Sequence, residues 1–415
     1  MTESTHRTPH LTTALTGPLQ LLEKKILSHP KKIEDWFETQ WEKYTAPIYG
    51  SVDLRNAGFK LAPVDMNLFP AGFNNLNSQF FSLIVKAAKT FFTKHFPAAK
   101  KILLIPENHT RNLFYWENIK TILSILKQAG FDTRIGSLIP LQVESFDIET
   151  ITRKENHIEI NNFIPDLILL NNDLSDGIPD ILQNLNQTLV PPAELGWHQR
   201  LKSEHFQYYS DVTQEFSTML EIDPWLITPL SRHCGEIDFM HHEGEECLIK
   251  NVDILFEQIK KKYAEYNIAC SPYIVVKADA GTYGMAVMIV RSSDDLRSLN
   301  RKQRTRMSTS KSGQPVRRVI IQEGVYTFET WGTDNLVAEP VVYLWGEQVI
   351  GGFYRVHKDR GVDENLNSPG MHFEPLAFTD SCEHSEGCQN RFYTYGVIAR
   401  LSMLAAAREM MEQKK

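Results

Sequence analysis

The sequence predicts a mixed fold, in which an N-terminal parallel α/β domain is followed by an α+β module of two subdomains. The first observation is β-α-β alternation, because the apolar runs Lys101–Ile105 and Leu167–Leu170 flank an amphipathic helical segment at Tyr115–Ala129. Such alternation indicates a parallel sheet covered by helices. The second observation is a group of β-rich runs after residue 270 that are joined by Gly-bearing turns, as in hairpins. We expect three parts, residues 1–200, 201–322 and 323–415.

Composition narrows the possible partners. The chain has 415 residues and a formal net charge of −7, which argues against nucleic acid as a partner. No apolar run reaches the roughly 18 residues that a membrane span needs, and the N-terminus lacks the apolar core of a signal peptide. The five cysteines show no framework spacing, which favours reduced thiols in a cytoplasmic protein. A homo-oligomer remains open.

The N-terminal region shows helical spacing around one irregular stretch. Residues 1–17 are polar, and the helical spacing of Leu19–Tyr44 is broken at Pro30, so we expect two helices there. Pro63–Leu76 is too rich in Pro, Gly and Asn for regular structure, and we interpret it as a linker or a ligand loop. We expect an amphipathic helix at Ser78–Phe96, with its first residue as N-cap.

Polar clusters follow the two apolar strands of the α/β domain. They are Glu107–Asn112 and Asn171–Asp173, and a helix is expected to continue from the second cluster through Leu185. Ligands bind at the carboxyl ends of strands in parallel sheets, so this placement is informative. Pro191-Pro192 indicates a domain edge. The start of a basic helix follows at Gly196–Phe206.

The central stretch of the chain is predicted to be a strand, a Gly-bearing turn and a second strand. The three parts are Tyr273–Lys277, Asp279–Gly284 and Met285–Val290, and Asp253–Tyr266 precedes them as a helix capped by its Asp. Backbone N–H groups of such a turn can cradle phosphate oxygens, and Lys277 would add a mobile cation. An ordinary β-hairpin with a Gly-rich tip is the alternative. Neither a Walker A loop nor a dinucleotide-binding fingerprint is present.

This lysine-and-loop pattern resembles the ATP-grasp superfamily, in which a lysine on a strand and a flexible loop close over ATP. The resemblance implies that two α+β subdomains clamp ATP. It also implies that the run Val319–Gln322, a predicted strand, leads into a hinge that reads adenine, with Glu323 on the ribose hydroxyls. A surface carboxylate after a buried strand is the alternative for that residue. The implied nucleotide contacts are Lys277, Gly281, Thr282, Tyr283, Gly284, Gln322, Glu323 and Val325.

Phosphoryl transfer needs cations on the γ-phosphate and oxygen ligands on Mg²⁺. A hairpin predicted at Val337–Trp345 and Gln348–Val356 places Arg355 near its end, and we assign this arginine to the phosphate. The segment after it resembles two superfamily motifs, although Glu364 is followed by Asn at positions +1 and +3 rather than +2. The candidate metal ligands are Glu339, Glu364, Asn365 and Asn367. A terminal amphipathic helix follows at Tyr395–Gln413.

A basic stretch and two Cys/His clusters also have more than one interpretation. Arg297–Arg318 holds eight basic residues and no acidic one, so it is predicted to be a solvated mobile loop or, alternatively, a lid segment that faces phosphates. Two Cys/His clusters, at His233–Cys247 and Cys382–Cys388, lack zinc-site spacing, so a structural metal is not favoured there.

Six motifs in one order extend the resemblance over most of the chain, from about residue 50 to the end. They are PVDMNLFPAGFNNL, PENHTRN, LNNDLS, GWHQRLKSEHF, VKADAGTYGMAVM and NLNSPGMHFEPL. Together they resemble the glutamate–cysteine ligase family found in a minority of proteobacteria, which is ATP-grasp-like. The resemblance implies that ATP, L-glutamate and L-cysteine give γ-glutamylcysteine, ADP and phosphate, the first step of glutathione synthesis. Another ATP-grasp carboxylate–amine ligase, such as a glutathione-synthetase-like enzyme, and a non-catalytic ATP-sensing module are the alternatives.

Such chemistry needs groups that hold two amino acids. Arginine and lysine bind carboxylates, whereas carboxylates and amides hold an α-ammonium group. Each candidate has an ordinary alternative role in capping or turn formation. The candidates are Asp65, Asn67, Asn74, Asn75, Arg111, Asn172, Asp173, Arg200 and Lys202.

Overall fold

The structure is a computed structural model, and it describes residues 17–413 except 109–111, 145, 282–285, 310–312, 314 and 377–390. The α-helices within these residues are α1 (Pro18–Leu27), α2 (Pro30–Lys43), α3 (Phe81–His95), α4 (Leu113–Gln128), α5 (Lys202–Leu220), α6 (Glu245–Glu265), α7 (Ser293–Arg297), α8 (Arg301–Ser308) and α9 (Arg391–Glu412).

The strands form three main sheets and a small two-stranded ribbon. They are β1 (Tyr49–Asn56), β2 (Leu61–Asn67), β3 (Lys101–Pro106), β4 (Asp132–Ser137), β5 (Ile148–Thr150), β6 (Thr152–Lys154), β7 (His157–Glu159), β8 (Leu167–Asn171), β9 (Thr188–Val190), β10 (Ser231–Cys234), β11 (Ile274–Ala278), β12 (Val287–Val290), β13 (Val319–Glu323), β14 (Glu329–Trp331), β15 (Leu336–Trp345), β16 (Gln348–His357) and β17 (Met371–Pro375).

The predicted parallel α/β unit is confirmed. Its five strands lie in the order β5-β4-β3-β8-β9, and every pairing between them is parallel. The expected helix through Leu185 is wrong, because only a 3₁₀ turn at Asp180–Leu182 forms before β9. Pro179 begins this turn, and Asn184 has a left-handed backbone at φ 53°, which is incompatible with a continuous helix.

The large antiparallel sheet joins residues from both ends of the chain. Its order is β17-β16-β15-β1-β2, with β14 also paired to β15. The strand pair β1–β2 therefore lies in one sheet with strands that follow residue 328, across the boundaries expected at 200 and 322. Those boundaries stay a prediction.

The irregular loop expected at Pro63–Leu76 is partly wrong, because β2 extends to Asn67. A β-bulge explains how this strand tolerates its proline: the pairing shifts between Asp53 and Leu54, which oppose Asp65 and Pro63. β2 is also the last strand in the sheet order, and a proline at a sheet edge or a bulge breaks no ladder hydrogen bond. After β2 the chain is irregular as expected, apart from a 3₁₀ turn at Phe73–Asn75.

The smaller antiparallel sheet has the order β10-β13-β11-β12 and carries the central hairpin. α6 packs on it and begins at Glu245, so the expected cap at Asp253 is wrong. Gly244 has φ 76°, a conformation that glycine adopts freely, and it starts the helix eight residues earlier. Within the basic stretch, α8 forms behind an Asn300–Gln303 capping box instead of an extended mobile loop.

Several other predicted elements are confirmed with small changes at their ends. Two helices meet at Pro30, and the β15–β16 hairpin turns at Gly346, where φ is 58°. The helix expected from Ser78 begins as a 3₁₀ turn whose cap is Asn77, because its side chain accepts from Gln79 N. The terminal helix α9 packs on α5 and on β1, β2 and β15, at the centre of the largest apolar core. Among the described residues, no helix combines the length and apolarity of a membrane span.

Candidate functional site

A cavity of about 790 Å³ lies where the three sheets meet. The large sheet contributes residues of β1, β2, β15 and β16, and the smaller antiparallel sheet contributes residues of β11, β12 and β13. Polar residues after β3 and β8 complete the wall, so the carboxyl ends of the parallel strands open into the same space. Lys277, Gln322, Glu323, Val325, Glu339 and Arg355 all line it, although they come from separate regions of the sequence.

A buried ionic cluster occupies the large-sheet side of the cavity. Arg355 Nη1 donates to Asp53 Oδ2 at 2.9 Å and to Glu339 Oε1 at 2.5 Å. Arg55 Nε donates to the other Glu339 oxygen at 3.0 Å. Burial alone would lower the pKa of Arg355, but the two carboxylates raise it above its usual range. Two arginines and two carboxylates thus form a connected and nearly neutral network.

Strand register explains this cluster. Glu339 and Arg355 are direct cross-strand partners on β15 and β16, and Asp53 lies on the neighbouring strand β1. Sequence reasoning missed Asp53 and Arg55. The sequence of β1 nevertheless contains a pattern that could have indicated them. Ser51, Asp53 and Arg55 alternate with buried apolar residues and therefore share one face of the strand.

Lys277 extends from β11 towards the large sheet. Its Nζ donates to the backbone oxygen of Val64 at 2.6 Å, and the residue is only 9% exposed. Burial lowers the pKa of Lys277 to about 8, while nearby Asp65 opposes this shift. The ammonium group of Lys277 has lost hydration on burial, and an anionic ligand in the cavity would compensate for that loss.

Asp65 and Lys202 form an ion pair at the same side of the cavity. Lys202 Nζ lies 2.6 Å from Asp65 Oδ1 and also 4.2 Å from the centre of the Trp197 ring. Burial would raise the pKa of Asp65, but Lys202 and Lys277 lower it to about 2. Asp65 is therefore an anion at any physiological pH, and it lines the cavity.

The hinge residues have different environments. Glu323 is 1% exposed, and its carboxylate accepts hydrogen bonds from Lys60 at 2.5 Å, from the Trp225 indole and from Leu230 N. These three donors already occupy the Glu323 carboxylate oxygens that would otherwise bind the ribose hydroxyls. By contrast, Gln322 lines the cavity, and its buried Nε2 has no hydrogen-bond partner in the described part of the chain.

The candidate metal ligands are only partly together. Asn365 and Asn367 line the cavity with Glu339, whose two oxygens are held by arginines. Glu364 is not in the wall, because its carboxylate accepts from Gly361 N at 2.7 Å and pairs with Arg360. No group of three or more His, Cys, Asp or Glu side chains suited to a metal occurs in the described ranges. Oxygen donors of the type that Mg²⁺ prefers are nevertheless present in one wall.

The remaining predicted residues that the structure describes lie partly in the wall and partly outside it. Asp65, Asn67, Asn74, Asn75 and Asp173 line the cavity. Arg200 does not, because it is buried in a bidentate ion pair with Glu409, with Nε–Oε1 at 2.7 Å. Asn172 lies in a turn, accepting from Leu174 N and donating to Pro106 O, and Lys202 reaches the cavity only through Asp65. Gly281 is described, with φ 99°, but is not part of the wall.

Some predicted residues lie outside the described residues. They are Arg111, Thr282, Tyr283, Gly284 and the cluster Cys382–Cys388. The wall also contains Glu107 and Asn112 of the polar cluster predicted after β3, together with residues that were not predicted to bind a ligand, among them Trp197 and Tyr273. Asn112 is the N-cap of α4, and Tyr273 donates to Val325 O at 2.7 Å. The Tyr273 contact depends on tertiary packing, so no local pattern marks it, whereas the Asn112 cap is a local pattern.

Comparison with known proteins identifies the family of the chain. The family model described as GshA, glutamate-cysteine ligase, matches residues 23–410. The chain is also similar to a crystal structure described as "Putative gamma-glutamylcysteine synthetase" from Methylobacillus flagellatus KT. The two share 54% identity with a TM-score of 0.89, over 98% of this chain and 99% of that chain. Among the curated proteins, none matches the chain.

Two other solved structures show much weaker likeness. D-alanyl-alanine synthetase A from Vibrio cholerae has 10% identity and a TM-score of 0.34, over 73% of this chain and 81% of that chain. A glutathione synthetase-like effector from Globodera pallida has 9% identity and a TM-score of 0.35, over 86% and 79%. Both likenesses are too weak to support a conclusion about this chain. The family match, which spans nearly the whole sequence, leads to one conclusion: the chain belongs to the glutamate-cysteine ligase family.

Proposed function

We propose that this protein uses ATP to join the γ-carboxylate of L-glutamate to the amine of L-cysteine, giving γ-glutamylcysteine, ADP and phosphate. The observation that carries the proposal is the shared cavity, in which Lys277 of one sheet faces Arg355 and Glu339 of another. A carboxylate must first be activated as an acyl phosphate, and cations must neutralise the charge that develops on the transferred phosphoryl group. The walls of this cavity supply such cations from both sides.

The nucleotide lies, in this proposal, between β11–β13 and the large sheet. Lys277 binds its phosphates, and Arg355 contacts the γ-phosphoryl group. The unpartnered amide of Gln322 supports an adenine contact, because a carboxamide can pair with the adenine edge through N6 and N7. Backbone groups near Val325 would extend that contact. The carboxylate of Glu323 already accepts hydrogen bonds from Lys60 and Trp225. Glu323 is therefore better suited to holding the hinge than to binding ribose.

Magnesium fits the oxygen donors that line the wall, namely Glu339, Asn365 and Asn367. When bound, Mg²⁺ neutralises phosphate charge and orients the γ-phosphoryl group for transfer. Glu339 would leave at least one of its arginine partners, which frees a guanidinium to approach phosphate. Glu364 would act indirectly, since its carboxylate holds the Gly361 backbone.

The amino acids would occupy the space between the phosphates and the ends of the parallel strands. Asp65 and Asp173 are anionic groups in the wall and can hold an α-ammonium, with Asn67, Asn74 and Asn75 as amide partners. Lys202 would orient Asp65. The buried contacts of Arg200 with Glu409 support a structural role for this arginine. The turn contacts of Asn172 likewise support a structural role for this asparagine.

The decisive experiment replaces Lys277 by alanine. K277A should lose at least about 100-fold in phosphate release that requires both glutamate and cysteine, because an oriented cation is removed from the developing charge. K260A, which removes an exposed lysine on α6, is the matched control and should keep wild-type turnover. A panel of amino acids with the wild-type enzyme tests the alternatives. Release with other amino acid pairs would indicate another ligase, whereas ATP binding without any release would indicate a sensor.

A further inference from the structure

We propose that Asp53 is the proton acceptor that frees the amine of the incoming amino acid for attack on the activated carboxylate. The inference rests on the proposed function, because it names a catalytic group for that reaction. An amino acid carries its amine as an ammonium ion at neutral pH, and an ammonium ion has no lone pair with which to attack. An enzyme that joins such an amine to an acyl phosphate therefore benefits from a positioned base.

The position of Asp53 suits this task. It lies in the cavity wall, and its Oδ2 is 2.9 Å from Nη1 of Arg355, the group that we place on the transferred phosphoryl group. Its side chain keeps 22% of its exposure. Within the described part of the chain, Oδ1 of Asp53 has no hydrogen-bond partner. It is also not one of the fully buried polar atoms that lack a partner, so it is accessible from the cavity. One oxygen is thus anchored beside the phosphate site, and the other is open to a ligand.

The neighbouring carboxylates are less suited. Glu339 is 2% exposed, and arginines hold both of its oxygens. Asp363 pairs with Arg291. Asp65 lies directly across from Asp53 in the β1–β2 ladder, but Lys202 holds its Oδ1 at 2.6 Å. Each of these two carboxylates keeps one oxygen without a hydrogen bond in the described part of the chain. Lys202 and Lys277 hold Asp65 as an anion that can attract an ammonium ion, whereas the free oxygen of Asp53 lies beside Arg355, where the carboxylate is activated.

The electrostatics of the two facing carboxylates support this division of roles. Burial raises the pKa of Asp53, and the Arg355 guanidinium opposes this rise, whereas the pKa of Asp65 is lowered to about 2. Facing carboxyl groups with separated pKa values are typical of an acid–base pair. The charged and titratable groups around Asp53 come from four other strands, and they are Asp65, Lys277, Glu339, Tyr343 and Arg355.

The proposed step removes two protons from the amine and exchanges a C–O bond for a C–N bond. The ammonium gives one proton to Asp53, and the nitrogen lone pair that this exposes forms a bond to the γ-carbonyl carbon of the acyl phosphate. The bond between that carbon and the phosphate oxygen breaks, and phosphate leaves with the bonding electron pair. The nitrogen then loses its second proton to the departing phosphate, which yields the neutral amide. Asp53 returns its proton to solvent after product release.

The test compares cysteine with hydroxylamine as the attacking amine. Hydroxylamine is uncharged at neutral pH, so its reaction with the acyl phosphate needs no base, although it needs the same ATP, glutamate and Arg355. In D53N we expect kcat with cysteine to fall by about 100-fold or more, while γ-glutamyl hydroxamate formation changes by less than about threefold. The cysteine deficit should shrink as pH rises, because more of the amine then arrives unprotonated. D53E should restore part of the cysteine reaction.

Hydroxamate formation also reports that the variant is folded and activates glutamate. If D53N does not fold, D53S takes its place under the same criteria, and D294N on an exposed helix is the control that should match wild type. An equal fall in both reactions, or no fall in either, would overturn the assignment of Asp53. Failure of the wild-type enzyme to form either product would instead refute the proposed function.

Discussion

At the scale of single residues, the site depends on charged groups that are buried in mutual contact. Arg55, Arg355, Glu339 and Asp53 form one connected set, and each member would be costly to bury alone. The sequence predicts Arg355 and Glu339, because they lie in a hairpin whose continuation resembles the phosphate-facing and metal motifs of the ATP-grasp superfamily. It does not predict Asp53 and Arg55, because their partners lie 302 and 284 residues away along the chain.

A substitution in this cluster tests its energetic role. E339Q removes the negative charge between two arginines, so we expect the free energy of unfolding to fall by about 3 kcal/mol, as when one partner of a buried ion pair is lost. Urea denaturation measures the change. E347Q, which affects an exposed pair with Lys94, is the control and should cost no more than about 1 kcal/mol. Equal small losses in both variants would mean that the cluster is not held by its charges.

At the scale of elements, the contact between the start of α5 and the end of α9 depends on one ionic site. Arg200, just before α5, holds both oxygens of Glu409 on α9, and His205 lies 3.3 Å from Oε2. Both Arg200 and Glu409 are almost fully enclosed. The sequence placed a basic helix start here and suggested a substrate role for Arg200. Only the packing of the terminal helix gives this arginine a buried partner.

This site should make stability depend on acid pH. Burial would raise the pKa of Glu409, but Arg200 and His205 lower it from 4.5 to about 2. The unfolded chain therefore binds more protons between these values, so the contribution of Glu409 is present above pH 4.5 and is lost as pH falls towards 2. We expect a loss of about 3 kcal/mol over this window, at roughly 1.4 kcal/mol per pKa unit.

Chemical denaturation at a series of pH values measures this dependence. E409Q is the comparison, since it cannot titrate. It should be less stable than wild type at neutral pH, because Arg200 then lacks a counter-charge, and its stability should change less between pH 5 and 3. His205, whose pKa burial lowers, adds a loss in the same direction at higher pH in both proteins. Parallel curves below pH 5 would contradict the assignment to Glu409.

At the scale of the whole molecule, the cavity exists because the two ends of the chain share a sheet. β1 lies between β2 and β15, and it brings Asp53 next to Arg355. The apolar core below also combines residues of both halves, for example Phe91 and Phe92 of α3 with Trp345 of β15. The N-terminal region is therefore built to fold against the C-terminal strands.

Fragments of the chain test this dependence. Residues 1–200 alone should lack a cooperative unfolding transition, because β1 loses its partner β15 and the shared core is opened. Residues 201–415, expressed together with them, should restore the transition and ligation activity. Thermal denaturation followed by circular dichroism and calorimetry measures the transition, and phosphate release with glutamate and cysteine measures the activity. Cooperative unfolding of the isolated fragment would instead support an independent domain that ends near residue 200.

Four features follow from local sequence: the parallel α/β unit, the Lys277 hairpin, the β15–β16 hairpin with Arg355 and the family resemblance. Each of these depends on residues that are near one another along the chain, through periodicity, turn chemistry or motif order. The folded chain was needed to show that Asp53 and Arg55 join the site, that Glu323 accepts from Lys60 and Trp225, and that Arg200 pairs with Glu409. These contacts arise from pairing and packing between distant segments, and no local pattern specifies which distant segment a strand or helix will meet.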